Sequence, residues 1–340
     1  MTTVMVEVTR GGIVECRHYG AVAVADAAGR LLFSAGDPRL VTFFRSAAKP
    51  IQAVPLVLGG TADRFGFTDE ELAICTASHS GEPVHRATVA GMLEKVGLDE
   101  GALQCGVVPP IDRAEAARVL AGLLPRGPLY NDCSGKHTGM LAGCRHRGFP
   151  IDSYLAADHP WQREILAVMG EFLGLDPASL PLAPDGCGVP TFAAPLASIA
   201  RAWARLAAPP ALYAPVAGRI LDAMAAHPYM VAGRGRLDTD LMEVAAGAGG
   251  IVAKGGAEGV LCLALRERGW GVAIKVEDGN GRALPAVAAT VLSQLGALDD
   301  ASLARFVERQ PPVVRNKDGA AAGELRPVVA LAPTPSHATG

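Results

Sequence analysis

No apolar run in this 340-residue chain approaches the ~20 residues needed to cross a bilayer, and the opening "MTTVMVEVTRGG" carries Glu7 and Arg10 where an export signal has its apolar core. A membrane role is thereby excluded, and the chain reads as cytoplasmic. Charge of one sign is also lacking: charged residues make up 19% and the net charge is −3, so neither a nucleic-acid surface nor a disordered acidic tail is indicated. The expected partner is a small molecule. The seven cysteines, at 16, 75, 105, 133, 144, 187 and 262, are odd in number and lack the spacing of a secreted disulfide framework. Most read as reduced core residues. Internal repeats, long linkers and the D-x-[DN]-x-[DN]-G frame of a calcium loop are absent as well.

What is present can build a sizeable core, since half the residues are hydrophobic. At roughly 150 residues per domain the length suggests about two domains, or one large domain with an inserted lobe. "HYGAVAVADAAGRLLFSAGD" gives two apolar runs around a turn at Asp26 to Arg30, a hairpin. "GVLCLALRERGWGVAIKVEDGNG" repeats the pattern with a turn around Arg266 to Gly269, and "ALPAVAATVLSQLG" reads as a closing helix. Between these ends the signals are helical: a Thr68 to Glu71 capping box, Pro83 near a start with Gly97 at a stop, then "DRAEAARVLAGLL" and "HPWQREILAVMGEFLG". The Ala/Pro-rich stretch 206–215 is a loop candidate. The predicted fold is mixed α and β: a sheet-containing lobe from 1–45 and 245–330, a mostly helical lobe from 46–244 carrying the active-site loops, and a frayed tail at 331–340.

The stretch "NDCSGKHTGM", residues 131–140, resembles the end of a phosphate-binding loop but has Tyr130 where glycine is needed and His137 where a hydroxyl is needed. Its Cys133 and Lys136 have helical i, i+3 spacing, and "PDGCGVPT" puts Asp185 and Cys187 two apart. Two thiolates, an amine and a carboxylate would suit zinc if the segments meet; two buried cysteines and a helix-start lysine are the plainer reading of the spacing. Ser46 and Lys49 lie three apart at the start of an apolar helical run, which places a nucleophile and its base on one face. Taken alone, S-x-x-K is also an ordinary N-cap followed by a solvated lysine. "CTASHSGEP" then sets Ser78, His79 and Ser80 in a loop, and "VAKGGAEGV" sets Lys254 before two glycines. S-x-x-K, a serine loop and K-[TS]-G on a strand is the motif order of penicillin-binding proteins and class A β-lactamases, although the second and third motifs do not match literally. His159 and His227, each before a proline, have no partner assigned by spacing.

Taken together, "RSAAKPIQ", "TASHSGEP", "NDCSGKHTGML", "DHPWQ", "DGCGVPT", "HPYMVAG" and "KGGAEGV" resemble the bacterial L-asparaginase II family of the rhizobial, thermolabile type (class 3), over about residues 8 to 295. The resemblance implies the serine β-lactamase and penicillin-binding fold, hydrolysis of L-asparagine to L-aspartate and ammonia, a homodimer, and a zinc ion. It also implies Ser46 with Lys49 and Ser78 with Lys254 as catalytic tandems, Cys133, Lys136 and Cys187 as zinc ligands, and Arg45, Ser78, His79 and Asp185 around the substrate. Lys275 rivals Lys254 as the second lysine, and either Ser46 or Ser78 could be the acylated residue. The alternatives are another acyl-transfer enzyme of this fold, acting on glutamine, a peptide or a β-lactam, and a zinc-dependent binding protein.

Overall fold

The computed structural model describes residues 1–246 and 250–334. Its strands are β1 (Thr3–Arg10), β2 (Ile13–Asp26), β3 (Leu31–Ala35), β4 (Val41–Phe43), β5 (Leu182–Pro184), β6 (Pro190–Pro195), β7 (Ile251–Gly256), β8 (Val260–Leu265), β9 (Trp270–Val276), β10 (Val313–Arg315), β11 (Ala321–Pro327) and β12 (Ala332–Pro333). The chain divides into two compact units. One comprises Met1–Ala47, Ala193–Pro209 and Asp240–Gly340, the other Ala48–Phe192 and Pro210–Thr239.

The first unit is built on an antiparallel sheet in the order β10, β11, β1, β2, β9, β8, β7. β3 pairs with the second half of β2, through Val22↔Ala35 to Ala25↔Leu31, and β12 pairs with β3. Both hairpins form as the sequence predicts. The turn between β2 and β3 closes through Asp26 N–H to the Arg30 carbonyl (3.1 Å), and the turn between β8 and β9 ends on Gly269 at φ +64°. Every residue of Ala21–Ala25 and of β8 is buried, so both faces of the central strands are covered. The helix Leu196–Ala207 packs on β2, β8 and β9. Its close approach depends on Gly271, because a Cβ there would lie 2.0 Å from the Ala200 carbonyl oxygen.

The predicted closing helix, Leu284–Gln294, does not end the fold. A helix follows at Asp300–Arg309, and β10 and β11 then extend the sheet beside β1. These last strands carry Arg315, Glu324 and Arg326 on a partly exposed edge, so the apolar alternation that marks an inner strand is missing from them. Of the tail expected to fray, Ala332 and Pro333 are paired with β3; residues 335–340 lie outside the described residues.

The second unit is mostly helical. The Thr68 capping box forms in both directions, Thr68 N–H to Glu71 Oε2 (2.8 Å) and Glu71 N–H to Thr68 Oγ1 (3.3 Å). Pro83–Val96 stops at Gly97 in the left-handed conformation, and Arg113–Leu120 and Pro160–Leu173 complete the predicted helices. The loop candidate at 206–215 narrows to a short connection, with the helix Leu196–Ala207 before it and Ala214–Ala226 after it. No helix among the described residues is long and apolar enough to cross a membrane.

Candidate active site

"NDCSGKHTGM" is the entry to a deeply buried helix of the second unit, Ser134–Arg147, whose residues 134–144 are all buried. Gly135, Gly139 and Gly143 form a stripe along it at four-residue spacing. A Cβ on Gly135 would lie 2.3 Å from the Ile74 carbonyl oxygen, and one on Gly143 would lie 2.2 Å from the Trp161 ring. The glycines therefore let neighbouring helices close on this one at backbone distance. Asn131 shapes the entry: its Oδ1 accepts from Cys133 N–H (2.9 Å) and its Nδ2 donates to the Cys105 carbonyl (2.7 Å).

This packing brings Cys133, Lys136 and Cys187 together. Lys136 Nζ is 3.1 Å from Cys187 Sγ, and Cys187 is held in a tight loop where Asp185 N–H bonds the Val189 carbonyl (2.8 Å) and Gly188 N–H the Asp185 carbonyl (2.9 Å). A hydrogen bond from the Cys133 thiol holds the Cys187 thiol far below its ordinary range, against burial and with help from Lys136. The same bond, with burial, pushes the Cys133 thiol well up. Burial works against the charge on Lys136, but the Cys187 and Cys133 sulfurs and the Asp185 carboxylate outweigh it and raise its pKa. Of the two sulfurs, Cys187 is thus the one its surroundings hold toward the thiolate, while Lys136 is held toward its charged form. His137, next along the helix, has Nδ1 2.7 Å from Tyr154 Oη, while its buried Nε2 has no conventional hydrogen-bond partner and interacts with the Cys187 sulfur.

These residues fit the zinc ion that the resemblance implies. Two sulfurs and the Lys136 nitrogen converge with the His137 imidazole beside them, a soft to borderline donor set once the Cys133 thiol and the Lys136 ammonium give up their protons. Among the described residues no group of three or more His, Cys, Asp or Glu side chains could hold a metal ion, and the third donor of this set is an amine.

The loop "TASHSGEP" lies against the same core. Lys49, fully buried, donates from Nζ to the Ala77 carbonyl (2.6 Å) and to Ser78 Oγ (2.9 Å), and stands 3.8 Å from Asp132 Oδ2. That same Asp132 oxygen is 3.8 Å from Cys133 Sγ, so one carboxylate separates the serine–lysine pair from the thiol cluster. The block "HPYMVAG" clips the loop in place: Ser78 N–H bonds the Val231 carbonyl (2.9 Å) and Ser80 Oγ the Ala232 carbonyl (2.8 Å). His79 is a strut beneath it. Its Nδ1 accepts from Gly81 N–H (3.1 Å), which leaves Nε2–H to donate to Ser134 Oγ (2.9 Å). Burial drives its pKa down to about 3, helped by His85, which stacks on it at 5.2 Å. Both ring nitrogens are taken up inside the unit, so His79 offers none to a substrate.

Arg45, Ser46 and Lys254 stand in the first unit. Ser46 is half-buried in the 3-10 turn Arg45–Ala48, which runs into the helix Lys49–Gln52. Strand β7 presses on this turn: a Cβ on Gly256 would lie 3.1 Å from the Phe44 carbonyl oxygen and 3.3 Å from Ala47 N. Lys254, fully buried on β7, bonds the Gly255 carbonyl (2.7 Å). Its rival Lys275 is half-buried and engaged with a turn, its Nζ bonding the Glu258 carbonyl. His159 caps the helix Pro160–Leu173 through Nδ1 and bonds the Pro150 carbonyl through Nε2 (2.9 Å), a structural role.

Four residues at these clusters escaped the sequence reading: Asp132, His137, Tyr229 and Glu258. Asp132 and His137 sit inside "NDCSGKHTG", flanking the metal-ligand types Cys133 and Lys136 with no spacing signal of their own. Tyr229 belongs to "HPYMVAG", and its ring stacks on His85 at 5.5 Å while its hydroxyl meets the Glu82 carboxylate. Glu258 follows Lys254 by four residues, with no spacing signal of its own.

No curated protein matches the chain. The family model described as L-asparaginase II matches residues 6–327, and so includes β11, which the motif blocks do not reach. With its seven sequence blocks distributed between a buried serine–lysine–cysteine core and the strained turn around Ser46, the chain belongs to the L-asparaginase II family, and its activity is that of an L-asparaginase, an amidohydrolase acting on a small-molecule substrate.

Proposed function

We propose that hydrolysis of L-asparagine proceeds here through a serine acyl-enzyme served by two Ser-Lys tandems, on a serine β-lactamase-like fold of the rhizobial, thermolabile (class 3) type. The observation that carries this is the Lys49 amine, fully buried and 2.9 Å from Ser78 Oγ. A buried lysine costs free energy unless its hydrogen bonds are met, and a solvated N-cap lysine would not be found there. The antiparallel sheet drawn from both chain ends, with Ser46 at a helix entry and Lys254 on a neighbouring strand, supports the fold assignment.

Ser46 is the proposed nucleophile. It is half-buried and reachable, whereas Ser78 is 6% exposed. The S-x-x-K spacing would set Lys49 on the face of Ser46. A neutral lysine has two N–H bonds and one lone pair; the Ala77 carbonyl and Ser78 Oγ accept the two N–H bonds, which leaves the lone pair to take the Ser46 proton. Ser46 Oγ attacks the side-chain amide carbon, ammonia departs with that proton, and water hydrolyses the resulting β-aspartyl ester. Lys254, fully buried on β7, would serve Ser78 as the second tandem, and the half-buried Lys275 remains its rival. The Ala47 N–H already bonds the Phe44 carbonyl (3.2 Å), which takes one helix-entry donor away from a developing oxyanion.

Cys133, Lys136 and Cys187 would hold zinc, with Asp185 beside them. When bound, the ion supplies a positive charge that orients the substrate's polar groups. His137 would fix the Cys187 sulfur from behind, and His79 and Tyr229 would brace the serine loop. The enzyme is a cytoplasmic homodimer in this reading. Ammonia release from asparagine, glutamine and a chromogenic β-lactam, measured side by side on purified protein, tests it. Asparagine should be turned over far faster than the other two; a preference for the β-lactam would sink the assignment.

A further inference from the structure

Among the described residues, two non-glycine positions have a left-handed backbone, Arg45 at φ 51° and Glu258 at φ 61°, and their side chains face each other within the first unit, Arg45 Nη1 lying 3.9 Å from Glu258 Oε1. A non-glycine residue in this region is strained, and such strain persists only where the surroundings over-determine it. Here they do. Lys275 Nζ bonds the Glu258 carbonyl, and β7 seats Gly256 3.3 Å from Arg45 Cβ, a distance measured from the Cβ that glycine lacks. On the other side of the carboxylate, a Cβ on Gly279 would lie 2.6 Å from Glu258 Oε2, so glycine there makes the room that the carboxylate occupies. Two opposite charges are thereby held beside each other, one of them on the residue that precedes Ser46.

The Arg45–Glu258 ion pair does not by itself account for this arrangement. The Glu258 side chain is 69% exposed and the pair is too long for a direct hydrogen bond, so it is an ion pair of the weak surface class. Strain at two backbones outweighs so loose a contact. A guanidinium and a carboxylate held almost 4 Å apart match instead the two opposite charges of an α-amino acid zwitterion.

We propose that Arg45 and Glu258 form a clamp for the α-amino acid end of the substrate, Arg45 receiving the α-carboxylate and Glu258 the α-ammonium. Insertion of the zwitterion replaces one weak pair by two charge-assisted contacts and leaves no charge unmatched. The two strained backbones fix the clamp relative to the residue that follows Arg45, the proposed nucleophile, so that recognition of the α-carbon sets the position of the side-chain amide. This rests on the reading of Arg45 as a substrate-binding residue and adds Glu258 as a specificity-determining one.

Steady-state kinetics with asparagine and with succinamic acid, which is asparagine without its α-ammonium, test the clamp. Glu258→Gln should raise KM for asparagine about tenfold, the low end for a hydrogen bond to a charged group, and leave KM for succinamic acid unchanged. Glu258→Asn, which keeps the amide and relaxes the left-handed backbone, should behave the same way. Equal rises for both substrates, a fall in KM for asparagine, or opposite behaviour of the two variants would overturn the clamp. Arg45→Gln tests the underlying reading separately. It should weaken both substrates, since both carry the carboxylate; if it weakens neither, Arg45 does not bind substrate and the clamp falls with it, whereas a normal Arg45 effect with an unselective Glu258 removes the clamp alone.

Discussion

Lys49 Nζ reaches Ser78 Oγ at 2.9 Å and the Ala77 carbonyl at 2.6 Å, so the lysine of the S-x-x-K motif serves as the brace of the second serine loop. Lys49→Met should therefore remove both proton transfer from Ser46 and the positioning of Ser78. A fall in kcat of about 10² to 10⁴ is expected, with Lys49→Met, Ser78→Ala little worse than Lys49→Met alone, because residues acting as one unit are strongly non-additive. Multiplicative losses in the double variant would show that the two residues act separately.

Two helical glycines of the second unit, Gly143 on the glycine stripe and Gly91 on Pro83–Val96, should respond in opposite ways to alanine. A Cβ on Gly143 would lie 2.2 Å from the Trp161 ring, so Gly143→Ala should destabilise by about 1–3 kcal/mol through overpacking. Gly91 lies within the helix Pro83–Val96 with nothing near its added Cβ, and Gly91→Ala should stabilise by up to about 1 kcal/mol. Urea denaturation of both variants decides the matter.

Acid should unfold the second unit through its buried histidines. Burial lowers the pKa of His79 to about 3 and lowers that of His85 too, so both are neutral when folded and protonate near pH ~6.5 once unfolded. The stability they support is complete above that pH and is lost as pH falls from about 6.5 toward 3, at about 1.4 kcal/mol per unit for His79. Of the charged groups around His79, Lys49 and Arg236 act in the same direction as burial and Asp132 against it. A urea-midpoint profile over this range should be steep for the wild type and flatter for His79→Gln. Parallel profiles would contradict it.

The cysteine cluster gives a binding phenotype. Cys133→Ala and Cys187→Ala should each raise KM more than they lower kcat, the mark of lost uniform binding, and elemental analysis should find zinc in the wild type and little in either variant. Unchanged KM together with no metal in any of the three would make the cluster a packing feature.

The sheet, both hairpins and the capped helices were legible because they follow local rules: period-two apolar runs, a Thr-x-x-Glu box, glycine stops. The helix Leu196–Ala207 was not singled out in the sequence, and its place on the sheet depends on Gly271, far along the chain, which no local pattern reports. β10 and β11 were missed because Arg315, Glu324 and Arg326 interrupt the apolar alternation that marks a strand. At the site, Ser46 and Lys49 stood out by their spacing, and Cys133, Lys136 and Cys187 as a set only through the family resemblance, whereas Glu258 is a charged residue in a glycine-rich turn until its backbone conformation is seen. The strut role of His79 was hidden for the same reason, since it depends on Ser134 and His85 lying above and below it.

The most direct test of the Ser-Lys account is ammonia release from L-asparagine by the wild type and by Ser46→Ala, with circular dichroism to confirm that the fold is retained. The account predicts steady release by the wild type and a loss of at least about 10³ in kcat for the folded variant. Near wild-type kcat in folded Ser46→Ala would contradict it and move the nucleophile to another residue.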